Sequence, residues 1–72
     1  MILRIETSEG GPYHAHSTRK VPDSLVPTAG DLIVLGNVSY RVTRRFFIFE
    51  ETVEVLIRCQ IDGGIFERKT TL

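Results

Sequence analysis

The sequence predicts an all-β protein, a small antiparallel and strongly bent sheet of about five strands. Residues 31–61 alternate between apolar and other side chains with the two-residue period of a strand, interrupted by two turn-like segments. One choice of strand pairing places the apolar side chains on the same face of the sheet across both turns. A shift by a single residue would move every apolar side chain to the opposite face, so this agreement is the main support for the prediction.

Length and composition indicate one domain. A 72-residue chain buries only about 60% of its unfolded surface, but its 42% hydrophobic residues argue against disorder. Nine basic and nine acidic side chains cancel, so no overall field attracts nucleic acid or a membrane. We expect a single β domain over residues 1–72, with a weakly patterned strand and loops in 1–29 and an antiparallel meander in 30–70.

Cysteine content and hydropathy suggest a compartment. A single cysteine, Cys59, excludes an internal disulfide and suits a reducing environment. The first residues lack a basic segment followed by a long apolar core, so we expect no signal peptide. Apolar runs stay far below the ~20 residues that span a bilayer. We therefore expect a cytoplasmic protein without a membrane partner.

The first 30 residues divide into short elements. Residues 2–5 form an apolar start, and Thr7–Pro12 is typical of a loop. Residues 12–20 are compatible with a short strand. Residues 21–30 hold two prolines and are expected to be a loop with one helical turn at Asp23–Val26.

Turn chemistry defines the first hairpin. Gly36-Asn37 is a favoured two-residue loop, and it pairs Leu35 with Val38 and Ile33 with Tyr40. We place a second turn at Glu50-Glu51, which pairs Phe46 with Val55 and Val42 with Cys59, and a third at Asp62-Gly63, followed by a returning strand. The residues expected to be buried together are Ile33, Tyr40, Val42, Val55, Ile57, Cys59 and Ile61.

Arg44 conflicts with this register, because it falls on the apolar face between Val42 and Phe46. A buried unpaired guanidinium is too costly to persist. Three explanations remain open: a β-bulge at Arg44-Arg45 that turns one arginine outward, a position at the open end of a barrel, or a buried pair with a carboxylate.

The other face is predicted to bind a partner. It combines basic and aromatic side chains, which are types enriched at interface hot spots. The predicted partner-binding residues are Arg41, Arg45, Phe47, Phe49 and Arg58. Alternatively, the N-terminal strand or the proline loop covers the phenylalanines. If these arginines bind a partner, their loss should harm binding more than folding.

Few residues in the sequence are candidates for catalysis or metal binding. His14-x-His16 is half of a zinc site if both imidazoles project to one side of a strand, but a third ligand is not evident. Cys59 alternates with apolar residues, so we expect a buried thiol rather than a nucleophile. Glu50 and Glu51 are more simply solvated turn charges. We expect no catalytic residue, no metal, no cofactor and no enzymatic activity.

Residues 26–42, VPTAGDLIVLGNVSYRV, resemble the opening of small SH3-like β-barrel domains. The shared pattern is a proline, Gly-Asp, a short strand, a glycine turn and an aromatic-x-Val strand, and the resemblance covers about residues 26–61. Many short proteins of bacteria and their phages look similar. The resemblance implies a strongly bent five-stranded barrel and a binding role, and it carries over no functional residue.

Two functions are therefore predicted. The first is a non-enzymatic binding module, a small phage or mobile-element protein that binds or inhibits a host protein and self-associates as a homo-oligomer. The alternative is nucleic-acid or nucleotide binding through an arginine and phenylalanine surface. Zero net charge argues against the alternative, since phosphate contacts dominate such binding.

Overall fold

The computed structural model describes residues 1–65, with side chains through Gly63, and shows one five-stranded mixed sheet. The sheet curls strongly into a half-barrel, which confirms the all-β prediction. Its strands follow the spatial order β2-β1-β5-β4-β3. They are β1 (Ile2–Ser8), β2 (His14–Lys20), β3 (Leu32–Leu35), β4 (Val38–Phe49) and β5 (Val53–Ile65).

The sheet is mixed rather than wholly antiparallel. Strands β3, β4 and β5 form an antiparallel meander, and β1 and β2 form an antiparallel hairpin. The hairpin joins the meander through β1, which runs parallel to β5 and places Leu3 beside Val55 and Ile5 beside Ile57. The weakly patterned N-terminal part thus supplies two strands, and β5 lies at the centre of the sheet.

The first predicted hairpin is confirmed. Leu35 pairs with Val38, and Ile33 pairs with Tyr40. Gly36 has a φ of +62°, the left-handed conformation that a two-residue hairpin loop needs at its first position and that glycine adopts without steric cost.

The second hairpin follows the prediction only at its base. Val42 pairs with Cys59 and Tyr40 with Ile61, as expected. Nearer the tip, Phe47 instead of Phe46 pairs with Val55. The predicted two-residue turn is wrong because the tip is the three-residue segment 50–52, which separates β4 from β5. Two-residue turns require positive φ, which glutamate disfavours.

The predicted turn at Asp62-Gly63 is also wrong. Strand β5 continues through these residues to Ile65, which lies opposite Val38. The pairing is irregular between Val38 and Tyr40, and Gly63 takes a φ of +78°. Glycine here permits an irregular strand instead of reversing the chain. Residues 66–70 of the predicted returning strand lie outside the described residues.

The core lies on one face of the sheet, which we call the inner face. It consists of Leu3, Ile5, Leu35, Tyr40, Val42, Val55, Ile57 and Cys59. Five of the seven predicted core residues are buried. Ile33 is only partly buried, and Ile61 is 39% exposed, so the prediction is wrong for those two. The core ends before Ile61 because β1 pairs with β5 only as far as Gln60.

The segment between β2 and β3 spans the open side of the half-barrel. It contains a 3₁₀ turn at Asp23–Leu25, near the predicted helical turn, and its Val21 and Val26 pack against the core. At its far end the Gly30 amide donates to the Val42 carbonyl at 2.8 Å. Within residues 1–65 there is no helix long and apolar enough to cross a membrane.

Candidate functional site: the open edge of strand β4

A β-bulge precedes the arginine pair. Val42 lies opposite Cys59 and Arg44 lies opposite Arg58, so Thr43 is the extra residue. The Thr43 hydroxyl donates to the Arg58 carbonyl at 3.0 Å and lies 3.2 Å from the Tyr13 hydroxyl. These contacts hold the additional residue in place, and the side chains after it exchange faces.

The bulge resolves the conflict at Arg44. Arg44 moves to the other side of the sheet, the outer face, where it is exposed. Arg45 takes the inner-face position opposite Ile57, but there it lies beyond the covered core and is exposed. The bulge explanation is therefore confirmed, although the extra residue is Thr43 rather than one of the arginines. The other two explanations kept Arg44 on the apolar face and are wrong.

The predicted partner-binding residues do not form one surface. Arg41 and Arg58 lie on the outer face, where they pair with Gln60 and Arg44 respectively. Arg45, Phe47 and Phe49 lie on the inner face. Uninterrupted alternation would have placed all five together, and the single residue of the bulge separates them.

The inner-face residues form an exposed aromatic patch, which we define as Arg45, Phe47, Phe49 and Val53. The Arg45 guanidinium lies 4.9 Å from the centre of the Phe47 ring, and the rings of Phe47 and Phe49 stack with centres 6.4 Å apart. Phe47 is 47% exposed and Phe49 is 77% exposed. Within the described residues neither the N-terminal strand nor the proline loop covers these rings, so that alternative is wrong.

The same stretch of β4 is unpaired along one side. Strand β3 pairs with Val38–Arg41, and the segment before it bonds to Val42. Among residues 1–65, no strand pairs with that side of β4 from Arg44 to Phe49. We call residues 44–49 on this side the open edge.

The open edge presents hydrogen-bonding groups beside the aromatic patch. The Val42 amide donates to Asp31, and its carbonyl accepts from Gly30, so both groups point toward the β3 side. Backbone direction and side-chain face alternate together along a strand. At Val42, backbone groups that point toward the β3 side occur together with a side chain on the inner face. After the one-residue bulge, the same arrangement therefore recurs at Arg45, Phe47 and Phe49. Their N–H and C=O groups point outward from the sheet edge while their side chains lie on the inner face.

Arg58 is held by its own chain on the outer face. Its Nε donates to Glu6 Oε1 at 3.0 Å, and its guanidinium lies 5.3 Å from the ring centres of both Tyr13 and Phe46. These three partners, Glu6, Tyr13 and Phe46, were not predicted from the sequence. Glu6 and Arg58 are 52 residues apart and meet because β1 pairs parallel to β5, so no local pattern indicates the contact.

Arg41 is also engaged within the chain. Its Nη1 donates to the Gly30 carbonyl at 3.2 Å, and its Nε lies 3.4 Å from Asp62 Oδ1. Two of the three arginines predicted to bind a partner thus have intramolecular carboxylate neighbours. Arg44 and Arg45 are the exposed arginines beside the open edge.

The arrangement of the histidines differs from the one expected from the sequence. His16 is the extra residue of a second bulge, between the pairs Ile5–Ser17 and Glu6–Ala15, so the regular His-x-His alternation expected from the sequence is wrong. Over residues 1–65, no three His, Cys, Asp or Glu side chains are grouped to hold a metal ion. Burial raises the pKa of Cys59 to about 11, which keeps the thiol protonated at neutral pH.

A scan against protein-family models found no match, and searches of curated proteins and of solved structures found none either.

Proposed function

We propose that the protein is a small non-enzymatic binding module that binds an extended segment of a partner protein along the open edge of β4. One observation carries the proposal: the outward-facing backbone groups and the exposed side chains belong to the same three residues, Arg45, Phe47 and Phe49. A polypeptide added to such an edge gains main-chain hydrogen bonds for affinity and side-chain contacts for specificity.

The composition of the edge supports an interface. Free edge strands are ordinarily blunted with lysine, proline or inward-pointing charge, because an exposed edge pairs with other chains. Residues 44–49 read Arg-Arg-Phe-Phe-Ile-Phe and contain neither lysine nor proline. Arg45 is the one inward-pointing charge among them, and its guanidinium lies over the Phe47 ring. Aromatic residues and arginine are also the residue types that contribute most to protein–protein binding.

The architecture suits such a role. The curled five-stranded half-barrel is compatible with an SH3-like barrel, and we propose that class for this fold. The prediction that the partner is a host protein, bound or inhibited by a phage or mobile-element factor, stays a prediction that partner identification will test.

Nucleic-acid binding is the second candidate. Arg45 lies over the Phe47 ring next to the exposed Phe49, an arrangement on which a base can stack. The bulge reduces this candidate's support, because Arg41 and Arg58 lie on the opposite face and contact Asp62 and Glu6. Of the three arginines predicted for this surface, Arg45 alone remains beside the phenylalanines, so these arginines offer few of the phosphate contacts that dominate such affinity.

The test is capture of partners from lysate on immobilised wild-type protein and on Phe47→Lys, with and without nuclease. Lysine on an edge strand opposes strand addition. Leu25→Lys is the matched control, since Leu25 is 66% exposed in the 3₁₀ turn away from the open edge. We expect wild type and Leu25→Lys to retain the same proteins, Phe47→Lys to lose them, and nuclease to change nothing.

Hydrogen exchange adds a residue-specific measurement. Partner binding should slow exchange at the amides of Arg45, Phe47 and Phe49, which point outward in the free protein. A folded Phe47→Lys variant that keeps every partner would show that the interface lies elsewhere. Release of the partners by nuclease, with an affinity that falls steeply with salt, would favour the nucleic-acid alternative.

A further inference from the structure

We propose that the open edge pairs with the same edge of a second copy of this chain, so that two half-barrels join through antiparallel β4 strands into one continuous sheet. The inference rests on the proposed function, because it requires the open edge to be a binding surface. It goes further by naming a second copy of the chain as the partner at the open edge and by giving the register in which the two β4 strands pair.

Charge along the edge is complementary to itself. Arg44 and Arg45 begin the segment, and Glu50 and Glu51 follow it directly. In an antiparallel pair, the arginine end of one copy meets the glutamate end of the other. A parallel pair would place arginine beside arginine, and like charges opposite each other are destabilising. Charge therefore selects antiparallel self-pairing.

The side-chain pattern selects a register. In a two-fold arrangement of two edges in one sheet, directly opposite residues lie on the same face. With the axis at Phe47, Arg44 faces Glu50 of the second copy and Phe46 faces Ile48 of the second copy. The outer face then pairs charge with opposite charge and apolar with apolar. An axis at Ile48 would instead oppose Phe46 and Glu50.

The inner face agrees with the same register. Phe47 meets Phe47 of the second copy, and Phe49 meets Arg45 of the second copy. Arg45 already lies 4.9 Å from an aromatic ring within its own chain, so a second ring on its free side extends a contact that is present. Cation–π contacts of this kind strengthen when water is removed from around them.

The exposed aromatic area is large enough to contribute substantially to an interface. A phenylalanine presents about 150–250 Å², so side chains that are 47% and 77% exposed in each of two copies offer roughly 400–600 Å². Stable interfaces begin near about 1,200 Å² in total. The paired backbones and the Arg44–Glu50 and Phe46–Ile48 contacts add to the aromatic area.

Charge reversal tests the register. Sedimentation velocity should show wild type as a dimer, and Arg44→Glu and Glu50→Arg should each raise the dimer dissociation constant at least about tenfold, because each places like charges opposite each other twice per dimer. The double variant Arg44→Glu/Glu50→Arg restores opposite charges and should dimerise like wild type. Glu51→Arg is the matched control, since it makes the same charge change one residue further into the turn.

Each contrary result has a distinct meaning. A wild type that is monomeric at ~1 mM overturns self-pairing, yet it leaves the proposed function intact if Phe47→Lys still abolishes partner capture. A dimer that survives both single reversals, or a double variant that stays monomeric, overturns the register. Equal effects of Glu51→Arg and Glu50→Arg would show that overall charge, rather than strand pairing, controls association. Circular dichroism confirms that each variant is folded.

Discussion

Truncation of Phe49 separates folding from association more sharply than any other single change at the open edge. Phe49 is 77% exposed, and among the described residues its ring stacks against Phe47 at the end of β4. Phe49→Ala should therefore leave the folded protomer nearly as stable as wild type. If the edge pairs with a second copy, the same change removes aromatic area from the interface twice.

The two effects differ in size. The buried part of the ring, roughly 50 Å² of about 200 Å², corresponds to about 1 kcal/mol of folding free energy at ~25 cal/mol per Å². If association buries half of the exposed part in each copy, the dimer loses ~150 Å², or about 4 kcal/mol. That loss raises the dimer dissociation constant by roughly 10²–10³-fold.

Two measurements on the same samples decide the outcome. Urea unfolding of diluted protein gives the stability of the protomer, and sedimentation equilibrium gives the dissociation constant. Leu25→Ala is the control, since Leu25 is 66% exposed and lies outside β4; it should change neither quantity appreciably. A Phe49→Ala protein that associates as tightly as wild type would refute the assignment of the aromatic patch to the interface.

Two further predictions concern the core. Ile57 is fully buried while Ile61 is 39% exposed. Ile57→Ala should therefore lower the free energy of unfolding by about 2–5 kcal/mol, and Ile61→Ala should lower it by distinctly less. Equal losses of unfolding free energy in urea titrations would contradict the assigned core. Burial raises the pKa of Cys59 from 9.0 to about 11. Between these two pH values the thiol is deprotonated in the unfolded chain but still protonated in the folded protein. The free energy of unfolding should therefore fall as pH rises above 9, by about 1.4 kcal/mol per pH unit. Cys59→Ala should lack this part of the pH dependence, and parallel stability curves for the two proteins would exclude it.

The sequence alone determined those features that depend on neighbouring residues. Alternation and the Gly36-Asn37 loop predicted the β class and the register from Ile33 to Tyr40, because a two-residue loop leaves only one way to pair its flanking strands. The pairing of Val42 with Cys59 followed from the same alternation. Sequence also singled out Phe47 and Phe49 as candidate interface residues, but it left open whether another segment covers them, because exposure depends on where the rest of the chain packs.

Only the tertiary structure decided how the site is assembled. The parallel pairing of β1 with β5 brings Glu6 to Arg58, and no local pattern encodes a contact across 52 residues. The bulge at Thr43 depends likewise on the Arg58 carbonyl and on Tyr13, which arrive from other strands and loops. Because side chains alternate with a period of two, that one inserted residue moved Arg45, Phe47 and Phe49 to the inner face and turned their backbone groups toward the open edge.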